Sequence, residues 1–167
     1  YTKDKVEKEP ILLIVKLIIF GAISAIVAGY AESFADQLLP YYEKNTLNYA
    51  LKNAFLLAGF WEELLKLFFL KIGSWKHHAF NYRFDGIVYG ASVAVGFAIL
   101  ENIMYVADYG FTTGVVRAFT AVPLHAFCGI TMGIFYSYAK QSSLLGHNAK
   151  SLAFKFLAFF MPFLVHG

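Results

Sequence analysis

Charge is scarce in this chain: only 15 % of its 167 residues are Asp, Glu, Lys or Arg, against 59 % that are hydrophobic. Soluble domains carry nearer 25 % charge. A mean hydropathy of +0.56 points the same way, and composition therefore places the chain among polytopic membrane proteins. No basic run interleaved with aromatics is present and the formal net charge is only +3, which excludes a nucleic-acid partner. The lone cysteine, Cys128, has no partner for an internal disulfide and reads as a small buried thiol in an apolar helix. Alternation of polar and apolar residues is missing as well, so neither strands nor a barrel are expected. No initiator methionine opens the chain, and its last residues, His166-Gly167, lie inside an apolar run. A membrane helix upstream and the remainder of the last helix downstream are therefore expected, with residues 1–167 forming one transmembrane domain.

What is present is long apolar runs. Five reach or approach the roughly 20 residues that cross a bilayer: about 11–31, 46–72, 84–107, 112–139 and 151 onward. The fold class is an all-α bundle of about five transmembrane helices. Residues 1–10 form a polar entry loop ending at Pro10, a residue suited to a first helical turn. Loops 71–83 (Lys71, Lys76, Arg83) and 140–150 (Lys140, Lys150) are basic, whereas 32–45 (Glu32, Asp36, Glu43) leans acidic. The positive-inside rule puts the first two in the cytoplasm. His77-His78, in a basic loop, reads as a solvated pair. Gly21/Ala25/Gly29, Gly86/Gly90 and Gly129/Gly133 are spaced for close helix packing, and Asn53 and Ser92 are candidates for hydrogen bonds across helices.

Against this background one stretch stands out: Trp61-Glu62-Glu63-Leu64-Leu65-Lys66, three charges inside an apolar run. An ionisable group at bilayer depth costs from roughly 3 to more than 10 kcal/mol, so such groups face a protein interior or wet cavity and mark function. On a helix Lys66 is one turn from both glutamates, which themselves point about 100° apart. Three further spans each carry a group at depth: Glu101, His125 and His166. Counting at 1.5 Å per residue puts Glu62, Glu63, His125 and His166 mid-span, and Glu101 nearer the outer side. A carboxylate and an imidazole in a cavity of restricted water are suited to deprotonate a water and reprotonate an amine leaving group. Arg117 is placed to snorkel or to neutralise a carboxylate. Three readings fit these residues: a hydrolase, a proton- or ion-coupled transporter, and a scaffold held by buried ion pairs. Against the transporter, no inverted repeat and no Gly/Pro-broken pair of half-helices is seen.

The ordered motifs resemble those of the PrsW family of intramembrane proteases, related to the type II CAAX prenyl endopeptidases and bacteriocin-processing homologues. Asp4 through Glu9-Pro10 resembles the acidic loop after that family's first helix, and Glu62-Glu63-Leu-Leu-Lys66 its Glu-Glu-x-x-Lys motif. Phe84-Asp85-Gly86, Gly96-Phe97-Ala98 and Glu101-Asn102 with Tyr105 resemble the second block, and Arg117, Pro123 and His125 the third. His166-Gly167 is similar to the start of a final His-Gly-x-x-Asp/Asn motif. Where the CAAX relatives have Phe-x-x-x-His, this chain has Phe97 to Glu101.

The resemblance implies peptide-bond hydrolysis at a bacterial cell membrane on a single-pass substrate such as a transmembrane anti-sigma factor. It implies Glu62 or Glu63 activating water, His166 positioning it or stabilising the oxyanion, Glu101 and His125 completing the chamber, and Lys66, Asn102, Phe97 and Asp85 in support. With no His-Glu-x-x-His present, a metal-free glutamate mechanism is expected and no cofactor is required. The alternative is zinc held by Glu62, His125 and His166.

Overall fold

In the computed structural model residues 9–167 are described, and among them every regular element is helical. The expectation for the acidic segment starting at Asp4 falls on residues 1–8, outside the described residues. The first helix, α1 (Ile11–Leu38), runs further than the predicted 11–31. Nothing in 32–38 breaks a helix; Pro40 does, by forcing the residue before it out of the helical region, and Leu39 is extended at φ −87°, ψ 154°. Glu32 and Asp36, assigned to an acidic loop, are therefore helical.

The second expected span, 46–72, is divided. It comprises α2 (Leu47–Leu51), a π-helical segment Lys52–Gly59 and α3 (Phe60–Ser74). π-Helical turns are rare and gather at functional sites; this one leads directly into the two glutamates. Next come α4 (Arg83–Tyr109), α5 (Phe111–Phe119), α6 (Ala121–Leu144) and α7 (Asn148–His166). The predicted fourth span, 112–139, is thus two helices broken at Thr120. Gly110 turns the chain between α4 and α5 at φ 87°, a left-handed conformation that only glycine adopts freely.

Ile11–Leu38, Arg83–Tyr109, Phe111–Leu144 and Asn148–His166 are long and apolar enough to cross a membrane. The run Leu47–Ser74 is of comparable length but holds the buried charges Glu62, Glu63 and Lys66, and it is not among these four. Exposed apolar side chains such as Leu12, Phe34, Ile103 and Leu152 cover the outside of the bundle, as a lipid solvent requires. The protein is a multi-pass membrane protein.

Packing follows the small residues. A Cβ on Gly90 would strike the Gly129 carbonyl, one on Gly133 the Gly86 carbonyl, and one on Gly96 or Gly21 the backbone of the other helix in the α1–α4 pair. Backbones in contact at these points hold α4 between α1 and α6. Asn53 and Ser92 do not bridge helices as anticipated: each bonds a carbonyl one turn back, Tyr49 (2.7 Å) and Val88 (2.7 Å) respectively. At the basic end Trp75, Phe80, Tyr89 and Tyr136 pack together; the Tyr89 hydroxyl donates to the Glu9 carboxylate, tying residue 9 to the core.

Candidate active site

The charged stretch lies in the first two turns of α3, and the end of α7 packs beside its start at Gly59. At that glycine the end of α7 packs within contact distance: an added Cβ would sit 3.5 Å from the Gly167 nitrogen and 3.5 Å from the Phe163 ring. His166, at the end of α7, lies against Glu63, its Nδ1 at 2.8 Å from Oε1. Near the start of α6, His125 faces the same place. Glu101 on α4 completes the set, and α5 doubles back along the end of α4 to bring Arg117 within 2.7 Å of the Glu101 carboxylate.

Lys66 sits at the centre, 1 % exposed. Its ammonium has three protons and three acceptors: Glu63 Oε1 at 2.8 Å, Glu62 Oε2 at 3.3 Å and His125 Nδ1 at 3.0 Å. The Phe97 ring lies beneath it, 4.0 Å from Nζ. This settles the tautomer of His125. Nδ1 accepts from Lys66, so Nε2–H donates to Glu101 Oε2 at 2.8 Å. Both glutamates of α3 are buried, Glu63 at 0 % and Glu62 at 5 % exposure. Burying ions costs several kcal/mol each unless they are paired and hydrogen-bonded; here each is.

Glu62 Oε2 is 3.9 Å from His125 Nδ1 and 3.8 Å from His166 Nε2. The other nitrogen of each ring is pinned by a carboxylate, Glu101 for His125 and Glu63 for His166. That carboxylate–histidine pairing is the outer shell that orients histidine ligands on metals. Ligand atoms of Glu62, Glu63, His125 and His166 all lie within 4.8 Å of one another. Tetrahedral zinc, with bonds of about 2.0–2.2 Å, holds its ligand atoms about 3.3–3.6 Å apart, so each histidine nitrogen would need to approach Glu62 Oε2 by only a few tenths of an ångström. Glu63 Oε2, buried and without a hydrogen-bond partner, adds a free carboxylate oxygen beside them. The donor set fits a divalent cation.

All five sequence-predicted site residues, Glu62, Glu63, Glu101, His125 and His166, therefore meet. Glu101, placed nearer the outer side by counting, bonds directly to His125, because the break at Thr120 starts α6 at its level. Phe97 lies under Lys66, and the Asn102 amide donates to the Gly114 carbonyl of α5 at 3.3 Å. Asp85 does not join them. It caps α4 at the basic end, accepting from the amides of Asn81 (2.9 Å) and Tyr82 (2.6 Å). His77 and His78 stack, 4.4 Å between ring centroids, far along the chain from any acid of the cluster; burial and His78 hold His77 below the ordinary imidazole value.

Glu32 was missed. It lies on α1 within electrostatic reach of Glu62, Glu101, His166 and Lys66. The available signal was Ala25, Ala28 and Ala35, which share its helical face and are buried.

Comparison with known proteins gives the family. A family profile described as PrsW family intramembrane metalloprotease matches residues 9–167. The chain belongs to the PrsW family. Similar relatives include Protease PrsW of Bacillus subtilis, 34 % identical over the whole chain and 72 % of the relative. Protease PrsW of Halalkalibacterium halodurans is 40 % identical over 70 % of the chain and 52 % of the relative. Protease PrsW of Clostridioides difficile is 29 % identical over 99 % of the chain and 69 % of the relative. No solved structure matches the chain significantly. Membership decides between the readings left open by the residues: this PrsW-family protein is an intramembrane protease, a peptide hydrolase acting on membrane proteins, rather than a transporter or scaffold.

Proposed function

We propose that the α3–α4–α6–α7 cluster is the catalytic centre and that it cleaves a single-pass membrane protein. The observation that carries this is the facing of Glu62 Oε2 toward one nitrogen of each histidine while a carboxylate holds the other. Of the two mechanisms open from sequence, the metal-assisted one fits this donor set better, with Glu62, His125 and His166 as ligands. When bound there, a divalent cation such as zinc polarises the scissile carbonyl and makes water a stronger acid.

The protein's own groups supply the proton traffic. Glu63 Oε1 is anchored by Lys66 and His166, each at 2.8 Å, which leaves Oε2 to accept a proton from the attacking water. The same oxygen then returns that proton to the amine leaving group as the C–N bond breaks. Lys66 offsets the buried negative charge, Glu101 with Arg117 behind it fixes the His125 ring, and Phe97 closes the floor to water.

Residues 1–167 act as one catalytic domain in a bacterial cell membrane, with loops 71–83 and 140–150 on the cytoplasmic side by their lysines and arginine. The resemblance to anti-sigma-factor processing supplies the substrate: a transmembrane anti-sigma factor, cut first here. Purified protein in liposomes with such a substrate tests the reading. Glu62→Gln, Glu63→Gln and His166→Ala should each insert normally and lose cleavage by about 10²- to 10⁴-fold, and a chelator should stop the wild type until zinc is returned. Cleavage unchanged in the three variants would rule out the assignment.

A further inference from the structure

Lys66 is an internal cation in the place a metal ion would need. Its Nζ lies 3.0 Å from His125 Nδ1 and 3.3 Å from Glu62 Oε2, and those two atoms are 3.9 Å apart. His125 Nδ1 has a single lone pair, so a zinc ion bound to it would take the acceptor that Lys66 now uses, and would bring a second cation onto the carboxylate of Glu62. One buried chamber cannot hold both cations on the same two acceptors. We infer that Lys66 and the metal ion compete for His125 and Glu62, so that binding of one excludes the other from these two acceptors.

The exchange has a defined path. The bond from Lys66 to Glu63 Oε1, at 2.8 Å, is the shortest of the three and involves an oxygen outside the proposed ligand trio. Keeping it while releasing the two longer bonds would free both ligands. His125 needs no change of tautomer, since Nδ1 already presents its lone pair and Nε2–H stays on Glu101. His166 is untouched, because Lys66 has no hydrogen bond to it. Lysine thus stabilises the metal-free protein by neutralising its carboxylates, and it weakens metal binding by the same contacts.

This inference rests on the ligand trio proposed above, and its test separates the two. The full chain, purified in detergent and stripped of metal, is titrated with Co²⁺, read by visible absorption and by equilibrium dialysis with elemental analysis, as wild type and as Lys66→Met. Affinity should rise tenfold or more in Lys66→Met, with two-imidazole coordination in both proteins. Equal or weaker binding in Lys66→Met overturns the exclusion while leaving the trio intact; no stoichiometric binding in either protein overturns the trio and the exclusion with it. Should Lys66→Met fold only when Co²⁺ is present, that rescue supports the exclusion. If it folds under neither condition, Lys66→Gln, which keeps a donor to Glu63 without a charge, is titrated instead, and an unchanged affinity there overturns the inference.

Discussion

At the scale of single residues, the site is a chain of charge-assisted contacts in which each member fixes the next: Arg117 to Glu101, Glu101 to His125, His125 to Lys66, Lys66 to Glu63, Glu63 to His166. Removing an outer member should act through an inner one. Glu101→Gln is expected to lower metal affinity about 10- to 100-fold, as loss of an outer-shell carboxylate does, while leaving the peptide-bond chemistry of the loaded enzyme in place; Co²⁺ titration measures it. Lys66→Met should cost the metal-free protein about 3–5 kcal/mol, because it strands two buried carboxylates. Thermal unfolding in detergent with and without zinc checks this, and the loss should shrink when metal is added. These residues were legible in the sequence because charge inside an apolar run has few structural excuses. Asp85 and Glu32 were not. Asp85 belongs to a motif block but sits at a helix start, where an acid is a cap; Glu32 lies on a helix that composition alone ended too early.

Elements position these residues through two kinds of irregularity. Glycines let α1, α4 and α6 touch backbone to backbone, so Gly90→Ala, whose new Cβ would meet the Gly129 carbonyl, should destabilise the protein by about 1–3 kcal/mol and separate Glu101 from His125. A fall in both melting temperature and cleavage rate is the expected result. The second irregularity is the π-helical segment Lys52–Gly59. Deleting Ala54 should rotate α3 by about 100° relative to α2 and turn the glutamates off the chamber, abolishing cleavage while membrane insertion, assayed by carbonate extraction, persists. Helix spacing and packing motifs were readable in advance. The π-segment and the break at Thr120 were not, because no proline or glycine stands where the π-segment begins, at Lys52, or at Thr120.

Over the whole molecule, the helices alternate so that one end gathers the basic loops and an aromatic cluster around Trp75 and Tyr136, and the site lies toward the other. Cysteine reporters at Lys76 and Gly146, in a Cys128→Ser background, should be labelled only from the cytoplasmic face. Labelling from outside would invert the proposed topology without disturbing the chemistry. The class and four of the five expected spans were legible because lipid demands long apolar runs; the convergence of side chains was inferable only as a coincidence of acids and imidazoles, since sequence does not say which faces meet. That convergence is the central claim, and a double-mutant cycle on liposome cleavage tests it most directly. Glu63→Gln combined with His166→Ala should lose no more activity than the more damaging single change, because the two residues, 2.8 Å apart, act as one unit. Losses that multiply, or a double variant that still cleaves at the wild-type rate, would contradict the account.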